Sequence, residues 1–339
     1  MAGSITQLVF DGVADGSVGV TLDIVGAATR LVRARIADLP SSSLWSRSRI
    51  VSIDGQAVRT AAKRTLAVDG ALSLRGLCAH DVLIVPGLGM ATPSEVAAVL
   101  ARPELVRTNT LLARAAKRGV VLGASCSATF VLGAAGVLDG GEATTTWWLG
   151  PTFARQFPEV RLRQDRMVVR SDRVFTAGSA FAHADLVLAI LTHTVSPTLA
   201  SLVAKYLVLD ERVSQARYMV LDHLRSATPL VQTLERFIGQ NISRQLSVAQ
   251  MARATATSSR TLARKLDEAL GVSPLHFAQR LRIAHAVHLL DTTHDSIDAI
   301  AIRVGYADPA SFRRIFRRET GEAPNARRTV RKVAAALPR

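Results

Sequence analysis

Cysteine is scarce in this chain of 339 residues, which contains only Cys78 and Cys126. Two cysteines cannot form a disulfide scaffold, and such usage is typical of proteins in the reducing cytoplasm. Apolar runs of membrane-spanning length are missing, and the N-terminus lacks the charged-then-apolar pattern of a secretory signal. The chain is nevertheless 48% hydrophobic, which is enough for two domains with their own cores. We therefore expect a cytoplasmic protein without a membrane partner.

Acidic residues are also in short supply, at 27 against 42 lysines and arginines. From Arg225 onward there are 19 basic and 9 acidic residues, whereas the preceding 224 residues hold 23 and 18. A basic surface favours a polyphosphate partner, because each neutralised phosphate releases counterions. The charge imbalance therefore predicts a nucleic-acid partner for the C-terminal part.

One pattern occurs twice in that basic part. The apolar spacing of a helix with one buried face begins at Val248 and again at Ile297. After each comes a short polar break, then a second helix, and each copy closes with the motif G-x-x-P, at Gly271–Pro274 and Gly321–Pro324. Two short helices joined by a tight turn form a helix-turn-helix unit, whose second helix can enter the major groove of double-stranded DNA.

The second helix of each unit carries basic and hydroxyl side chains. We predict DNA contacts from Ser259, Arg260, Arg264 and Lys265 in the first unit, 247–270, and from Ser311, Arg313, Arg314 and Arg317 in the second, 296–320. A solvated charged face is the alternative explanation. The same placement of charge in both copies argues against it.

Helix start signals support the two units. Ser247 and Gln250 match a capping box, and Asp295 with Asp298 offers carboxylates to the start of the second copy. Between the copies, 274–290 reads as one long helix that would hold them at a fixed separation. Its predicted buried seam consists of Phe277, Leu281, Ala284, Val287 and His288.

About the last hundred residues resemble the AraC/XylS family of bacterial transcription regulators. The run G-Y-A-D-P-A-S-F-R-R-I-F-R-R-E-T-G-E-A-P, from Gly305 to Pro324, is similar to the signature of that family. The resemblance implies sequence-specific DNA binding and a homodimer, with RNA polymerase as a further candidate partner. The chain departs from the family at Asn325–Arg328, where a Tyr-Arg pair is usual, and this change predicts altered packing of the terminal segment.

The residues from Ile5 to about Thr194 alternate strand patterns with helix patterns. The strands are apolar without alternation, which is typical of a largely parallel, doubly wound sheet buried on both faces, and so of an α/β domain. Predicted strands are 5–10, 50–53, 82–85, 120–122, 167–169 and 174–177. Predicted helices are 20–31, 94–118 in one or two pieces, 128–136, 151–156 and 182–192.

Two segments place reactive or ligand-binding groups at the carboxyl ends of strands, where such sheets bind ligands. Val82–Gly89 ends in glycines that could expose backbone N–H groups, and Gly119–Ala128 runs from a strand through Cys126 into a helix. A cysteine at a strand-to-helix turn is placed like a nucleophile elbow, with its thiolate favoured by the helix N-terminus. The simpler explanation is a small buried residue in a tight turn.

These segments, with Ala143–Trp148 and Thr176–Ala180, resemble the PfpI/ThiJ branch of the glutamine-amidotransferase-like superfamily. Joined to an AraC-type tail, the whole chain resembles the GlxA family of regulators, which implies a flavodoxin-like fold. In the superfamily's enzymes the elbow cysteine works with a histidine, often the next residue. Here Ser127 follows Cys126, and Thr146 stands where many of these regulators carry histidine.

No catalytic pair can be asserted from the remaining candidates. His183 begins a helix that could approach Cys126, but a helix-capping or surface position is the simpler reading. Asp23 resembles the acidic position that faces the cysteine in the superfamily, and an ordinary polar helix face explains it as well.

We therefore expect a regulator without enzymatic turnover, since a cysteine nucleophile needs a base or a strongly lowered pKa. The α/β domain would sense a small molecule, amide- or amine-containing by family analogy, with no cofactor and no metal. The predicted ligand residues are Gly87, Leu88, Gly89, Cys126, Ser127, Trp147 and Trp148. The alternative is a cysteine-dependent hydrolase or amidase with an accessory DNA-binding domain.

Proline-punctuated sequence separates the two parts. We expect the α/β sensing domain over 1–194, a helical connector over 195–230, the DNA-binding domain over 231–330 and a basic tail over 331–339. Helices are predicted within the connector at 199–209 and 213–224, and another at 230–241. A semi-rigid connector of this kind would suit signal transmission.

Overall fold

The structure is a computed structural model that describes residues 3–40, 43–210, 212, 215, 229–270, 272–320 and 323–328. The chain divides into two compact units, Met1–Ala216 and Arg217–Arg339. The first is an α/β unit and the second is helical, as the sequence predicts.

A six-stranded sheet organises the α/β unit. Its strands are β1 (Ser4–Leu8), β2 (Arg47–Val51), β5 (Val82–Val85), β6 (Val121–Ser125), β9 (Val168–Ser171) and β10 (Val174–Ala177). The order is β2-β1-β5-β6-β10-β9, with every pair parallel except β10 and β9. All six predicted strands are therefore confirmed to within a few residues.

Two short ladders lie outside this sheet, and the sequence analysis missed both. Strands β3 (Val58–Arg59) and β4 (Thr65–Leu66) are antiparallel, and β7 (Glu142–Ala143) and β8 (Arg161–Leu162) are parallel. Two-residue strands are too short to produce an alternating pattern, so periodicity cannot find them.

Helices cover both faces of the sheet. They are α1 (Asp15–Arg33), α2 (Pro93–Leu100), α3 (Pro103–Lys117), α4 (Thr129–Ala134), α5 (Gly150–Gln156), α6 (His183–Thr194) and α7 (Pro197–Tyr206). One core layer contains Leu8 with Leu112 and Phe130, and the opposite layer contains Ile5 with Ile24. Alternate residues of β1 thus face opposite cores, as a doubly wound sheet requires.

Helix α7 corrects the predicted domain boundary at residue 194. Leu199 and Val203 are fully buried and join the core layer formed by α1 and α6. The segment predicted as the first helix of a connector is therefore part of the α/β unit, because its apolar face packs against α1 and α6. Apart from Gln215, the predicted helix 213–224 lies outside the described residues.

The C-terminal unit contains the two predicted helix-turn-helix units. Its helices are α8 (Pro229–Gln240), α9 (Val248–Ala254), α10 (Ser259–Leu270), α11 (Pro274–Thr292), α12 (Ile297–Arg303) and α13 (Pro309–Thr320). The capping box of Ser247 and Gln250 is confirmed at the start of α9. The carboxylate of Asp308 accepts the N–H groups of Ala310 and Ser311 and so caps α13.

The cap of α12 differs from the prediction. The side chain of Ser296, and not a carboxylate, accepts the N–H of Ala299. Asp295 instead pairs with Arg303, and Asp298 pairs with Arg313 at 2.5 Å. A hydroxyl at the cap position leaves both carboxylates available for the arginines that follow.

The predicted seam of α11 is only partly correct. Ala284 and His288 are exposed, whereas Arg282, Ile283 and Ala286 are buried. Helix α11 is buried on more than one side because it packs against α8, α9 and α10 of one half and α12 and α13 of the other. One apolar stripe is typical of a helix whose other side faces solvent. Helix α11 instead has neighbouring helices on several sides, so buried residues occur around more of its circumference.

The turns of the two helix-turn-helix units use the same backbone conformation with different residues. Ala256 has φ 51° and Gly305 has φ 84°, both in the left-handed region. At Gly305 an added Cβ would lie 2.5 Å from the carbonyl oxygen of Ile242. Gly305 is therefore required by close packing as well as by conformation, whereas Ala256 is exposed.

These two positions form a matched pair of tests. Gly305→Ala should destabilise the protein by about 2 kcal/mol or more, because it adds left-handed strain and a collision with the backbone. Ala256→Gly should change stability by less than about 1 kcal/mol, because the strain it relieves is offset by a more flexible unfolded chain. Urea unfolding of the full-length chain measures both. Equal losses in the two variants would contradict the packing role of Gly305.

Candidate ligand site and nucleic-acid interface

Cys126 occupies the turn between β6 and the helix that follows. Ser125 ends the strand in an extended conformation, and Cys126 then adopts φ 56° at the start of a one-turn 3-10 helix, Cys126–Ala128. A left-handed conformation is uncommon for a residue other than glycine and is often retained at functional sites. The predicted elbow geometry is thus confirmed.

The burial of Cys126 fits the simpler explanation, a small buried residue in a tight turn, and not a stabilised thiolate. The N–H and hydroxyl of Ser127, the hydroxyl of Thr146 and the N–H of Ala180 lower the pKa of Cys126, but burial has the larger effect and raises it overall. Only 5% of the residue is exposed. Because loss of water disfavours the charged form, Cys126 is a neutral thiol at physiological pH.

His183 is fully buried, so the predicted surface or capping position is wrong. Its Nδ1 lies 2.8 Å from Ser125 Oγ and its Nε2 lies 2.7 Å from Thr21 Oγ1. Burial lowers the pKa of His183 to about 3, so the ring is neutral. Thr21 donates its hydroxyl proton to the carbonyl of Ser17, which favours Nε2 as the ring donor and Nδ1 as the acceptor from Ser125. Both ring nitrogens are therefore engaged by hydroxyl groups.

Of the two explanations for Asp23, the ordinary polar helix face is the one that fits. Asp23 is exposed, whereas Ser17 and Thr21 occupy the face of α1 that meets the sheet. Ser17 Oγ lies 3.5 Å from the point where a Cβ on Gly87 would stand, and Cys126 Cβ lies 3.3 Å from the same point. The residue of α1 nearest this junction is therefore a serine and not a carboxylate.

Four of the seven predicted ligand residues meet at this junction. Gly87 touches Cys126, and the hydroxyl of Ser127 donates to the carbonyl of buried Leu88. Gly89 is exposed, and its N–H donates a hydrogen bond to the carbonyl of Gly12.

The tryptophans lie on a segment joined to the elbow. Thr145 Oγ1 donates to the carbonyl of Cys126 at 2.8 Å. Trp147, buried, and Trp148, partly buried, follow two and three residues later, with ring centroids 5.3 Å apart in an edge-to-face arrangement. The arrangement fits a wall of the site or core packing.

Gln215 is a site residue that the sequence analysis missed. Its Nε2 donates to Thr144 Oγ1 at 2.9 Å and to the carbonyl of Thr145 at 3.1 Å. The contact joins positions about 70 residues apart, and a single glutamine within a polar stretch carries no local signal of it. Only the tertiary structure reveals this residue.

In the described ranges, no group of three or more His, Cys, Asp or Glu side chains is arranged to hold a metal ion. Within the same ranges, no helix has the length and apolar character needed to cross a membrane.

The predicted DNA-contacting residues lie on α10 and α13. Leu262 and Leu266 bury one side of α10, and Phe312 and Phe316 bury one side of α13. On the outward sides, Ser259, Arg260, Arg264, Lys265, Arg313, Arg314 and Arg317 are exposed, and Ser311 is partly exposed. The helices therefore present these side chains to solvent, and their contact with DNA stays a prediction.

The second unit has a basic groove beside α13. It has a volume of about 390 Å³ and is lined by Arg313, Arg314 and Arg317 together with Ile297 and Pro324. The ion pair with Asp298 holds the Arg313 guanidinium toward α12. A groove of this composition suits a backbone phosphate.

After Pro324, where the family usually has a Tyr-Arg pair, this chain has two arginines that bind α11 and the residues after it. Arg327 donates to both carboxylate oxygens of Asp291, at 3.0 and 2.8 Å, and Arg328 donates to the carbonyl of Asp295. Two arginines therefore join the terminal segment to the end of α11 and to the residues that follow it, and altered packing relative to a Tyr-Arg pair stays a prediction.

Comparisons with known proteins agree with this division of the chain. The family model "DJ-1/PfpI family" matches residues 22–193, and the model "Helix-turn-helix domain" matches residues 251–329. A crystal structure of a ThiJ/PfpI family protein from Pseudomonas syringae is similar with a TM-score of 0.50 and 20% identity. That match covers 70% of this chain and 88% of the other, and it supports the fold alone.

Two relatives are described as HTH-type transcriptional regulators. GlxA of Rhizobium meliloti is 28% identical over 224 residues, which cover 65% of this chain and 69% of the relative. CdhR of Pseudomonas aeruginosa is 27% identical over 321 residues, which cover 93% of this chain and 91% of the relative. The family model spans half of the chain, and the elbow and sheet order are in place. The chain therefore belongs to the DJ-1/PfpI family and carries a helix-turn-helix domain in its C-terminal part.

Proposed function

We propose that this protein is a sequence-specific, DNA-binding transcriptional regulator whose α/β unit senses a small molecule. The observation that carries the proposal is the pair of helix-turn-helix units, each with exposed basic side chains on its second helix. The GlxA and CdhR relatives, both named transcriptional regulators, support it. The protein would act in the cytoplasm on promoter DNA.

The sensing role rests on the elbow of the α/β unit. A ligand there would meet Gly87, Cys126, Ser127 and the segment that carries Trp147 and Trp148. The ligand would act by binding one arrangement of a homodimer more tightly than another, and so would change the spacing of the DNA-reading helices. The effect on transcription then depends on that difference in affinity.

A cysteine-dependent hydrolase is the second candidate, and the elbow conformation of Cys126 is the observation that favours it. Two observations argue against it. Burial raises the pKa of the Cys126 thiol. Both ring nitrogens of the buried His183 are hydrogen-bonded, one to Ser125 and the other to Thr21. A nucleophile needs a base or a depressed pKa, and this site supplies neither among its described residues.

Arginine substitutions on the two second helices test DNA reading. Target fragments are first selected from random duplexes with the purified full-length chain. Arg264→Ala and Arg314→Ala should then each weaken specific binding by roughly 1–3 kcal/mol and relax the preference at the contacted base. Binding of the wild-type chain should also fall steeply with salt concentration.

Arg155→Ala is the matched control, because it removes the same charge from an exposed position on α5 of the α/β unit. It should leave affinity and base preference unchanged. If all three variants bind alike, α10 and α13 do not read the target.

Thiol alkylation separates the regulator from the hydrolase. In the Cys78→Ser background, Cys126 should resist iodoacetamide at neutral pH and react only in alkali or after unfolding, because its pKa is raised. In the wild-type chain the exposed Cys78 serves as an internal positive control. Rapid alkylation of Cys126 at neutral pH would favour the hydrolase, as would loss of turnover without loss of DNA affinity in Cys126→Ser.

A further inference from the structure

Buried polar atoms without partners gather along one segment of the α/β unit. Within the described part of the chain, Gln215 Oε1 and both side-chain polar atoms of Gln164 have no hydrogen-bond partner, and Thr146 Oγ1 has none apart from the weakly bonding thiol of Cys126. These three residues are at most 1% exposed. An unsatisfied buried polar group destabilises the folded state, so a concentration of such groups indicates a site that another molecule completes.

Both glutamines lie against the segment 144–150. Gln215 Oε1 lies 2.3 Å from the point where a Cβ on Gly178 would stand. Gln164 Nε2 lies 1.8 Å from the corresponding point at Gly150. A side chain at either glycine would collide with a glutamine amide, so the two glycines provide the space in which these amides lie.

The row of unsatisfied groups continues to the elbow. The hydroxyl of Thr146 faces the thiol of Cys126, which is a weak hydrogen-bonding group. Ser17 Oγ is also buried and without a partner among the described residues, and it lies close to Gly87, next to Cys126. The same region thus offers several hydrogen-bonding groups and no net charge.

Charged side chains close in sequence to Gln164 and Gln215 form ion pairs with one another. Asp185 pairs with Arg212 at 2.5 Å, and Asp165 lies 3.5 Å from both Arg163 and Arg166. Cys126 and His183 are both neutral. The buried polar groups themselves belong to threonine, serine and glutamine and carry no charge, so an ion placed among them would lose its hydration without touching an opposite charge, and that exchange is strongly unfavourable.

We propose that this site binds an uncharged ligand that carries a primary amide, held by Gln164, Gln215 and Thr146. A primary amide is complementary to the amide of Gln164, because two amides can exchange N–H···O hydrogen bonds. Its second N–H needs a further acceptor, and Gln215 Oε1 and Thr146 Oγ1 are the candidates that the same region offers. The inference rests on the proposed sensing function and narrows the expected ligand from an amide or amine to an amide.

Three probes of matched size test the ligand class on the full-length chain: propionamide, propionate and propylammonium. Propionamide alone should raise the melting temperature, because a ligand that binds only the folded state stabilises it by mass action. Gln164→Leu should abolish that rise. Binding of the selected DNA fragment is measured in parallel, so that failure of the ligand class and failure of the regulator are read separately.

Two neighbouring threonines supply a matched pair of variants in case Gln164→Leu fails to fold. Thr146→Val replaces an unsatisfied hydroxyl with a methyl group, so the unliganded melting temperature should stay level or rise while the response to propionamide weakens. Thr145→Val removes the hydrogen bond to the carbonyl of Cys126, so it should lower the unliganded melting temperature.

Each possible result supports or contradicts the ligand class or the residues assigned to bind it. Stabilisation by propionate or propylammonium in place of the amide overturns the ligand class and leaves the sensing function standing. A response to none of the probes overturns the ligand class as well, and DNA binding then shows whether the regulator survives. A propionamide response that persists undiminished in Gln164→Leu and Thr146→Val overturns the assignment of these residues.

Discussion

The α/β unit depends on the close contact of α1 with the carboxyl ends of β5 and β6. Gly87 lies at this contact: a Cβ on it would approach Cys126 Cβ closely, at 3.3 Å, and would be in ordinary contact with Ser17 Oγ and Ser125 Oγ at 3.5 and 3.6 Å. His183 then ties α1 to β6 through two hydroxyl groups. Water is excluded from the junction, so a cysteine in the conformation of a nucleophile becomes part of a neutral interior.

The C-terminal unit depends in a comparable way on α11, which packs against both helix-turn-helix units. Buried Arg282 donates to the carbonyl of Arg244 and lies over the ring of Tyr306, 5.9 Å from its centroid. Gly305 lets the second turn approach Ile242. Such contacts fix the distance between α10 and α13, and that distance decides which two turns of DNA can be read together.

Much of the fold could be predicted because local patterns are strong. The helix-turn-helix units repeat one apolar spacing and carry recognisable caps, and the six main strands are continuous apolar runs. The site was harder to predict. The candidate roles of Asp23 and His183 came from their positions along the chain. Their actual roles depend on burial and on hydrogen-bond partners, which are set by residues distant in the sequence. Helix α7 was assigned to a connector because its amphipathic pattern does not say which surface it covers.

By itself, the sequence determined the two-part architecture, the basic second helices and the cysteine at a strand-to-helix turn, since these follow from the spacing and charge of neighbouring residues. The tertiary structure decided that the thiol and His183 are neutral and that Gln164 and Gln215 converge on the segment 144–150. The reason is that ionisation and hydrogen bonding depend on the exclusion of water and on groups far apart in the chain, which come together only when the sheet and its helices pack.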